Sequence, residues 1–326
     1  MKVAVIFSPG AGQKQRFSAV GAKLQRLFEG HELFTCAGNF GGDYLPGAAV
    51  CEADRSGAYV ETLGCITRAL LAQQIDLLVS VGGDGIASYI ADAMLTAGSR
   101  VPMMGVAAGT ANAGPIVCIT PEELDSCDAD AVWQQFTVSA VEVLSDGHVG
   151  YAVNDVVIGN TFLGTTEDGG IANYSARAMA LRGEKEICPA NGNICTDDFY
   201  VTKNGKPAAH RIARPGQIIV SPLDRDRLEG RAIYGALCSA AYTPCKGALA
   251  LTETVMISAE AEDAGMGSFC PVEHMLFGPG DTVELSGLTE YADLIVDGNP
   301  YIRTGETVAL RYHPDLITVT RPCCKG

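Results

Sequence analysis

Residues 79–86 read Val-Ser-Val-Gly-Gly-Asp-Gly-Ile, an apolar strand that breaks into a Gly-Gly-Asp-Gly turn and runs on as a helix. Glycines in such a turn let backbone N–H groups approach an anion, and the helix N-terminus adds a favourable dipole. Asp84 then puts a carboxylate where phosphates would lie, which a site built only to hold phosphate would avoid. A carboxylate there is useful if it organises a metal or takes a proton from an attacking hydroxyl. That is phosphoryl-transfer chemistry. Taken alone, Asp84 also reads as a helix N-cap.

Around this turn, residues 1–118 alternate strand and helix. Segments 3–7, 33–36, 75–81 and 101–106 are apolar runs of strand length. Segment 17–28 carries Val20, Leu24, Leu27 and Phe28 on one helical face. Segment 56–73 does the same with Tyr59, Val60, Leu63, Ile66, Leu70 and Leu71, and 86–95 is a third helix. Such alternation implies right-handed βαβ units and a mostly parallel sheet. From about residue 119 the texture changes. Segments 137–144, 151–158, 199–203, 217–221, 232–238, 248–258, 282–286, 293–296, 307–312 and 317–320 read as strands. Turn signals such as Asn204-Gly and Asp297-Gly-Asn separate them. Thr120 before Pro-Glu-Glu-Leu is the N-cap of a short helix at the junction. The expected organisation is an α/β domain over 1–118 and a mainly β domain, a sandwich or distorted barrel, over 119–326. The C-terminal tail is the segment that would return to the first domain.

With 38 acidic against 23 basic residues the net charge is −15, which argues against a nucleic-acid or anionic-membrane surface. A polyphosphate ligand must then be held by a local site. The densest basic region is Lys203, Lys206, His210, Arg211, Arg214, Arg225, Arg227 and Arg231, which reads as phosphate contacts or as solvated loop charge. The apolar run at 3–7 is too short for a signal peptide, and no stretch nears the roughly 18 apolar residues of a membrane span. A cytoplasmic protein is expected. Twelve cysteines are scattered with no C-x-x-C pair, and the five histidines are isolated, so reduced thiols and no metal-ligand cluster are expected.

Loops at the carboxyl ends of parallel strands are the usual ligand positions. Three glycine-rich loops fall there: 8–14, 82–85 and 108–112. One alone would reflect packing; three in one sheet point to a phosphate cradle. Neither the P-loop nor the dinucleotide Gly-x-Gly-x-x-Gly is present.

These residues carry a resemblance. Gly82-Gly-Asp-Gly85 is similar to the signature uniting NAD kinases, diacylglycerol and sphingosine kinases, and 6-phosphofructokinases. Ser8-Pro-x-Ala-Gly12 resembles the first loop of lipid kinases and of NAD-kinase-like proteins of acetoin operons (AcoX type). Gly109-Thr-Ala-Asn112 resembles the Gly-Thr-x-Asn loop of lipid kinases. Asn154-Asp-Val-Val-Ile158 resembles the Asn-Glu-Val-Val-Ile segment of NAD kinases. The resemblance implies a Rossmann-like first domain, a β-sandwich second domain, and an ATP- and Mg²⁺-dependent kinase. Its acceptor would be the ribose hydroxyl of NAD or of a related small molecule.

Carried over by position, Asp84 would be the general base or metal-organising carboxylate. Gly10, Gly12, Gly82, Gly83, Gly85, Gly109, Thr110 and Asn112 would line the nucleotide phosphates. Asn154 and Asp155 would bind the acceptor, though the pair also reads as a plain strand edge. A homo-oligomer is compatible with the resemblance, with no interface legible in the residues. Three departures bear on the acceptor. Asp155 stands where NAD kinases have Glu, and Ile86 where Thr is usual. The Thr-Pro-Thr-Gly-Ser-Thr-Ala-Tyr segment expected after 217–221 is replaced by Pro222-Leu-Asp-Arg-Asp-Arg. A lipid kinase, or a non-catalytic nucleotide sensor of the AcoX type, are the alternatives.

Overall fold

The computed structural model describes residues 1–109, 112, 114–166, 168–223, 246–259 and 270–323. The chain divides into two compact units, Met1–Val138 with the segment from Asp315 onward, and Ser139–Pro314.

The first unit holds β1 (Lys2–Phe7), α1 (Phe17–Leu27), β2 (Glu32–Cys36), β3 (Ala49–Cys51) and α2 (Tyr59–Leu71). It continues through β4 (Leu77–Gly82), α3 (Asp84–Thr96), β5 (Met103–Ala107), β6 (Val117–Ile119) and α4 (Pro121–Leu124). The strands pair in parallel in the order β3-β2-β1-β4-β5, with β6 beside β5. Val3 to Phe7 and Val79 and Val81 are fully buried, as expected for central parallel strands covered on both faces. α1 closes one face with Phe17, Val20, Leu24 and Leu27, spaced three and four apart. Each such side chain contributes about 1.5–3 kcal/mol by burial. Thr120 caps α4 as expected: its Oγ1 accepts the Glu123 N–H at 3.1 Å, and the Glu123 carboxylate accepts the Thr120 N–H.

α2 starts three residues later than its periodicity predicts. The Asp54 carboxylate accepts both the N–H and the hydroxyl of Ser56, which holds that stretch in a turn until Tyr59. Leu63, Ile66 and Leu70 are buried as expected, whereas Tyr59 and Val60 are exposed.

The second unit is antiparallel. β7 (Val132–Leu144) enters it and pairs with β8 (His148–Ala152). β9 (Val156–Gly159), β10 (Thr161–Thr165), β11 (Ile171–Ser175) and α5 (Ala176–Arg182) follow. Next come β12 (Cys195–Lys203), β13 (Lys206–Ala208), β14 (Gln217–Leu223), β15 (Lys246–Thr252) and β16 (Val272–Phe277). β17 (Thr282–Leu288), β18 (Asp293–Val296), β19 (Asn299–Tyr301) and β20 (Val308–Cys323) end the series. One sheet of the unit runs β13-β12-β17-β20, another β16-β15-β14-β9-β18-β19. Val156, Ile158, Ile218, Val220, Val283, Leu285 and Leu310 meet in one core. The fold is therefore the expected α/β parallel sheet followed by antiparallel β structure. The strand expected at 232–238 lies outside the described residues.

The segment expected as one strand over 151–158 is two, β8 and β9. Residues Val153, Asn154 and Asp155 give their N–H groups to the Asp297 carboxylate instead of a ladder, which interrupts the strand.

Candidate functional site

The three glycine-rich loops are bound to one another. The Ser8 N–H donates to the Val81 carbonyl at 2.9 Å, and the Ala108 N–H donates to Gly82 at 2.8 Å. The Gln13 N–H donates to Ala108 at 3.1 Å, closing the first loop on the third. Space is as tight as the bonding. A β-carbon on Gly82 would lie 2.6 Å from Ile86 Cγ2 and 2.9 Å from Ser8 Cβ. One on Gly109 would lie 2.6 Å from Gly83 Cα. Only glycine permits these approaches, so the loops form one cluster at the ends of β1, β4 and β5.

Asp84 occupies the first turn of α3, which follows Gly83 in extended backbone. Its Oδ2 accepts the Gly114 N–H at 3.0 Å, so the carboxylate is oriented from the segment just after the third loop as well as by its own helix. A carboxylate near a helix N-terminus is electrostatically favoured. Gly83 and Gly85 flank it, half-buried. Gly10 and Gly12 are exposed in the first loop, and exposed Asn112 donates to the Gly109 carbonyl at 3.3 Å. Thr110 lies outside the described residues, as do Arg225, Arg227 and Arg231.

Beside the first loop stands Tyr59, whose hydroxyl is 3.2 Å from Ser8 Oγ. Burial of the phenol end pushes its pKa up, and the Ser8 hydroxyl acts in the opposite direction. The helical pattern alone assigned Tyr59 to the buried face of α2. No local signal showed that its hydroxyl reaches a loop 51 residues earlier.

In the second unit, Asn154 and Asp155 sit in the bend between β8 and β9. The Asp297 carboxylate receives N–H groups from Val153 at 2.9 Å, Asn154 at 2.8 Å and Asp155 at 3.0 Å. The Asp297 N–H returns to the Asp155 carbonyl at 2.9 Å, and the Ser221 hydroxyl donates to the Asn154 carbonyl. The backbone of the pair is thereby fixed. Asn154 Oδ1 is buried with no hydrogen-bond partner among the described residues, an unusual condition for an amide oxygen. Asp155 lines a slot of about 120 Å³ whose walls include Val157, Phe162, Leu163, Ile257 and Ile295. Asp297 was legible in the sequence only as a turn residue.

A larger cavity of about 360 Å³ in the same unit has Val201, Leu249, Leu251 and Met275 on its lining, with His210, Arg211, Glu273 and His274 around them. The remaining members of the basic region are partly engaged: Lys203 pairs with Asp281 and Arg214 with Asp197. Among the described residues no group of three or more His, Cys, Asp or Glu side chains could hold a metal ion. Among them, too, no helix is long and apolar enough to cross a membrane.

Residues 2–144 match the family model of the diacylglycerol kinase catalytic domain. No curated protein matches the chain. Among solved structures, yeast NADH kinase in complex with NADH aligns with a TM-score of 0.52 at 10% identity, over 100% of this chain and 84% of that one. A candidate diacylglycerol kinase from Bacillus anthracis str. Sterne aligns with a TM-score of 0.55 at 12% identity, over 98% and 96%. At such identities the likeness is one of fold.

Proposed function

We propose that this chain, whose residues 2–144 match the diacylglycerol kinase catalytic domain and whose fold resembles that of NADH and diacylglycerol kinases, is an ATP- and Mg²⁺-dependent kinase of a hydroxyl acceptor. The observation that carries the reading is the cluster of three glycine-rich loops closed around Asp84. Phosphoryl transfer asks little covalent work of a protein. It asks for donors at the phosphate oxygens and a group that orients the attacking hydroxyl. Backbone N–H groups of the loops containing Gly10, Gly12, Gly82, Gly83, Gly85, Gly109, Thr110 and Asn112 suit the first task. Asp84 suits the second.

Mg²⁺ typically binds through one or two carboxylates together with substrate phosphates. A single oriented carboxylate at a phosphate cradle fits that habit, and Asp84 is the residue that would meet the ion. When bound, the metal neutralises charge on the transferring phosphoryl group. In the alternative role Asp84 is the general base, and a carboxylate oxygen takes the proton of the attacking hydroxyl.

For the acceptor we favour a dinucleotide of the NAD type. The small slot beside Asp155 has ring-sized dimensions, and the unmatched Asn154 Oδ1 is an acceptor for an N–H or O–H of a ligand. A lipid acceptor is the second reading, favoured by the match of residues 2–144 to the diacylglycerol kinase catalytic domain. The deciding assay is NADP⁺ formation from ATP, Mg²⁺ and NAD⁺, with Asp84→Asn in parallel. Product from the wild type and a loss of about 10²–10⁴-fold in the variant are expected. A folded wild type that binds ATP but yields no NADP⁺ overturns NAD as the acceptor. Phosphorylation of diacylglycerol in liposomes that pellet the protein would then support the lipid reading.

A further inference from the structure

The donor side of the cluster carries a feature that phosphate binding does not require. Tyr59 opens α2 on the same helical face as Leu63, Ile66 and Leu70, which anchor the helix in the core, yet Tyr59 itself is not buried with them. Tyr59 is 42% exposed. A large aromatic residue left this open at a helix start gains little for stability.

Its position is nonetheless fixed. The hydroxyl is held at Ser8 Oγ, and Ser8 is itself buried, bonded to Val81 and packed against Gly82. The Phe40 ring lies near-parallel to Tyr59, at 24° with centroids 6.5 Å apart. The Tyr89 ring, from α3, meets it edge-on at 79° and 6.3 Å. A ring whose hydroxyl is held at the first glycine-rich loop, with two aromatic residues near it, has little freedom left. At 42% exposure the residue still presents surface to solvent next to that loop.

A nucleoside triphosphate and an inorganic polyphosphate look alike to a glycine-rich cradle. They differ in that the first carries a flat heteroaromatic base. We infer that Tyr59, held by Ser8 and flanked by Phe40 and Tyr89, is the stacking platform for the base of a nucleoside triphosphate donor. The inference rests on the kinase reading above and deepens it: Tyr59 makes the donor site selective for a nucleotide over a bare polyphosphate. The hydroxyl serves to aim the ring, so the ring and not the hydroxyl carries the affinity. Base–aromatic stacking is large enough to change affinity by about tenfold or more.

The test is calorimetric titration of the full chain with ATP, inorganic tripolyphosphate and NAD⁺ in the presence of Mg²⁺, for wild type, Tyr59→Leu and Tyr59→Phe. The expected result is a wild type that prefers ATP to tripolyphosphate. Tyr59→Leu should lose about tenfold in ATP affinity while binding tripolyphosphate and NAD⁺ unchanged, and Tyr59→Phe should stay within about threefold of wild type. The tripolyphosphate arm guards against a general loss of fold or loop geometry. Equal losses for ATP and tripolyphosphate, an unchanged ATP affinity in Tyr59→Leu, or a loss confined to NAD⁺ each overturn the assignment while leaving the kinase reading intact. A folded wild type that binds neither ATP nor tripolyphosphate overturns both.

Discussion

Asp297 Oδ1 lies 2.8 Å from the backbone nitrogen of Asn154 across 143 residues of chain. The same carboxylate also takes the N–H groups of Val153 and Asp155, so one buried side chain substitutes for a strand partner over three residues. The β18–β19 hairpin therefore sets the path of the segment proposed to meet the acceptor.

Removing that carboxylate leaves N–H groups without an acceptor. At about 1–3 kcal/mol for a buried unmatched donor, Asp297→Ala should cost on the order of 3 kcal/mol. Asp297→Asn keeps one carbonyl oxygen and should cost about 1 kcal/mol. Denaturant unfolding of the three proteins checks the ranking. On the kinase reading, KM for the acceptor should also rise in Asp297→Asn, with KM for ATP unchanged. An alanine variant as stable as wild type would show that the three bonds are replaceable by water.

Gly82 and Gly10 give a paired test of the loop cluster. Gly82→Ala forces a β-carbon to within 2.6 Å of Ile86 and 2.9 Å of Ser8, and overpacking of this kind costs about 1–3 kcal/mol. A β-carbon on Gly10 would meet nothing within 4 Å, so Gly10→Ala should stay within about 0.5 kcal/mol of wild type. Equal stabilities for the two variants would contradict the packing of the loops described above.

Those loops were readable in the sequence because each follows an apolar strand, and β1 and β4 are buried along nearly their whole length. Asp84, Gly82 and Gly109 stood out for the same local reason. The remaining features are either too short to show a pattern or depend on partners distant in the chain. β3 is three residues long and mostly exposed, so it carries no hydrophobic pattern. α5 has a Ser175 cap and a left-handed Gly183, but its seven residues are too few for a helical period to emerge. Tyr59 and Asp297 act through partners 51 and 143 residues away, and neither sequence spacing nor residue type announces such a contact.

Asp281 supplies a prediction about acid. Its carboxylate accepts the Gly278 N–H at 2.8 Å, pairs with Lys203 at 2.9 Å and accepts from Asn204 at 2.8 Å. These contacts, the Gly278 bond foremost, hold its pKa well below the usual carboxylate range. A depressed folded-state pKa contributes stability above the unfolded value near 3.9, and that contribution fades as pH falls below it. Wild type should therefore lose stability between about pH 5 and pH 3 more steeply than Asp281→Asn does. Parallel slopes in denaturant titrations at the two pH values would remove Asp281 from the acid response.

The cysteines divide by burial, and thiol labelling reads the division. Cys195 is 1% exposed, and desolvation pushes its thiol up to about 12. At pH 8 Cys195 is held in the unreactive thiol form, and the reagent would need access to the core as well. Cys270 and Cys323 are exposed free thiols. Peptide mapping after brief alkylation of the native protein at pH 8 should find Cys270 and Cys323 modified and Cys195 untouched, with Cys195 labelled only after denaturation. Early labelling of Cys195 would mean that the core joining β12 to β17 opens on the timescale of the reaction, and the second unit would be less tightly closed than its packing implies.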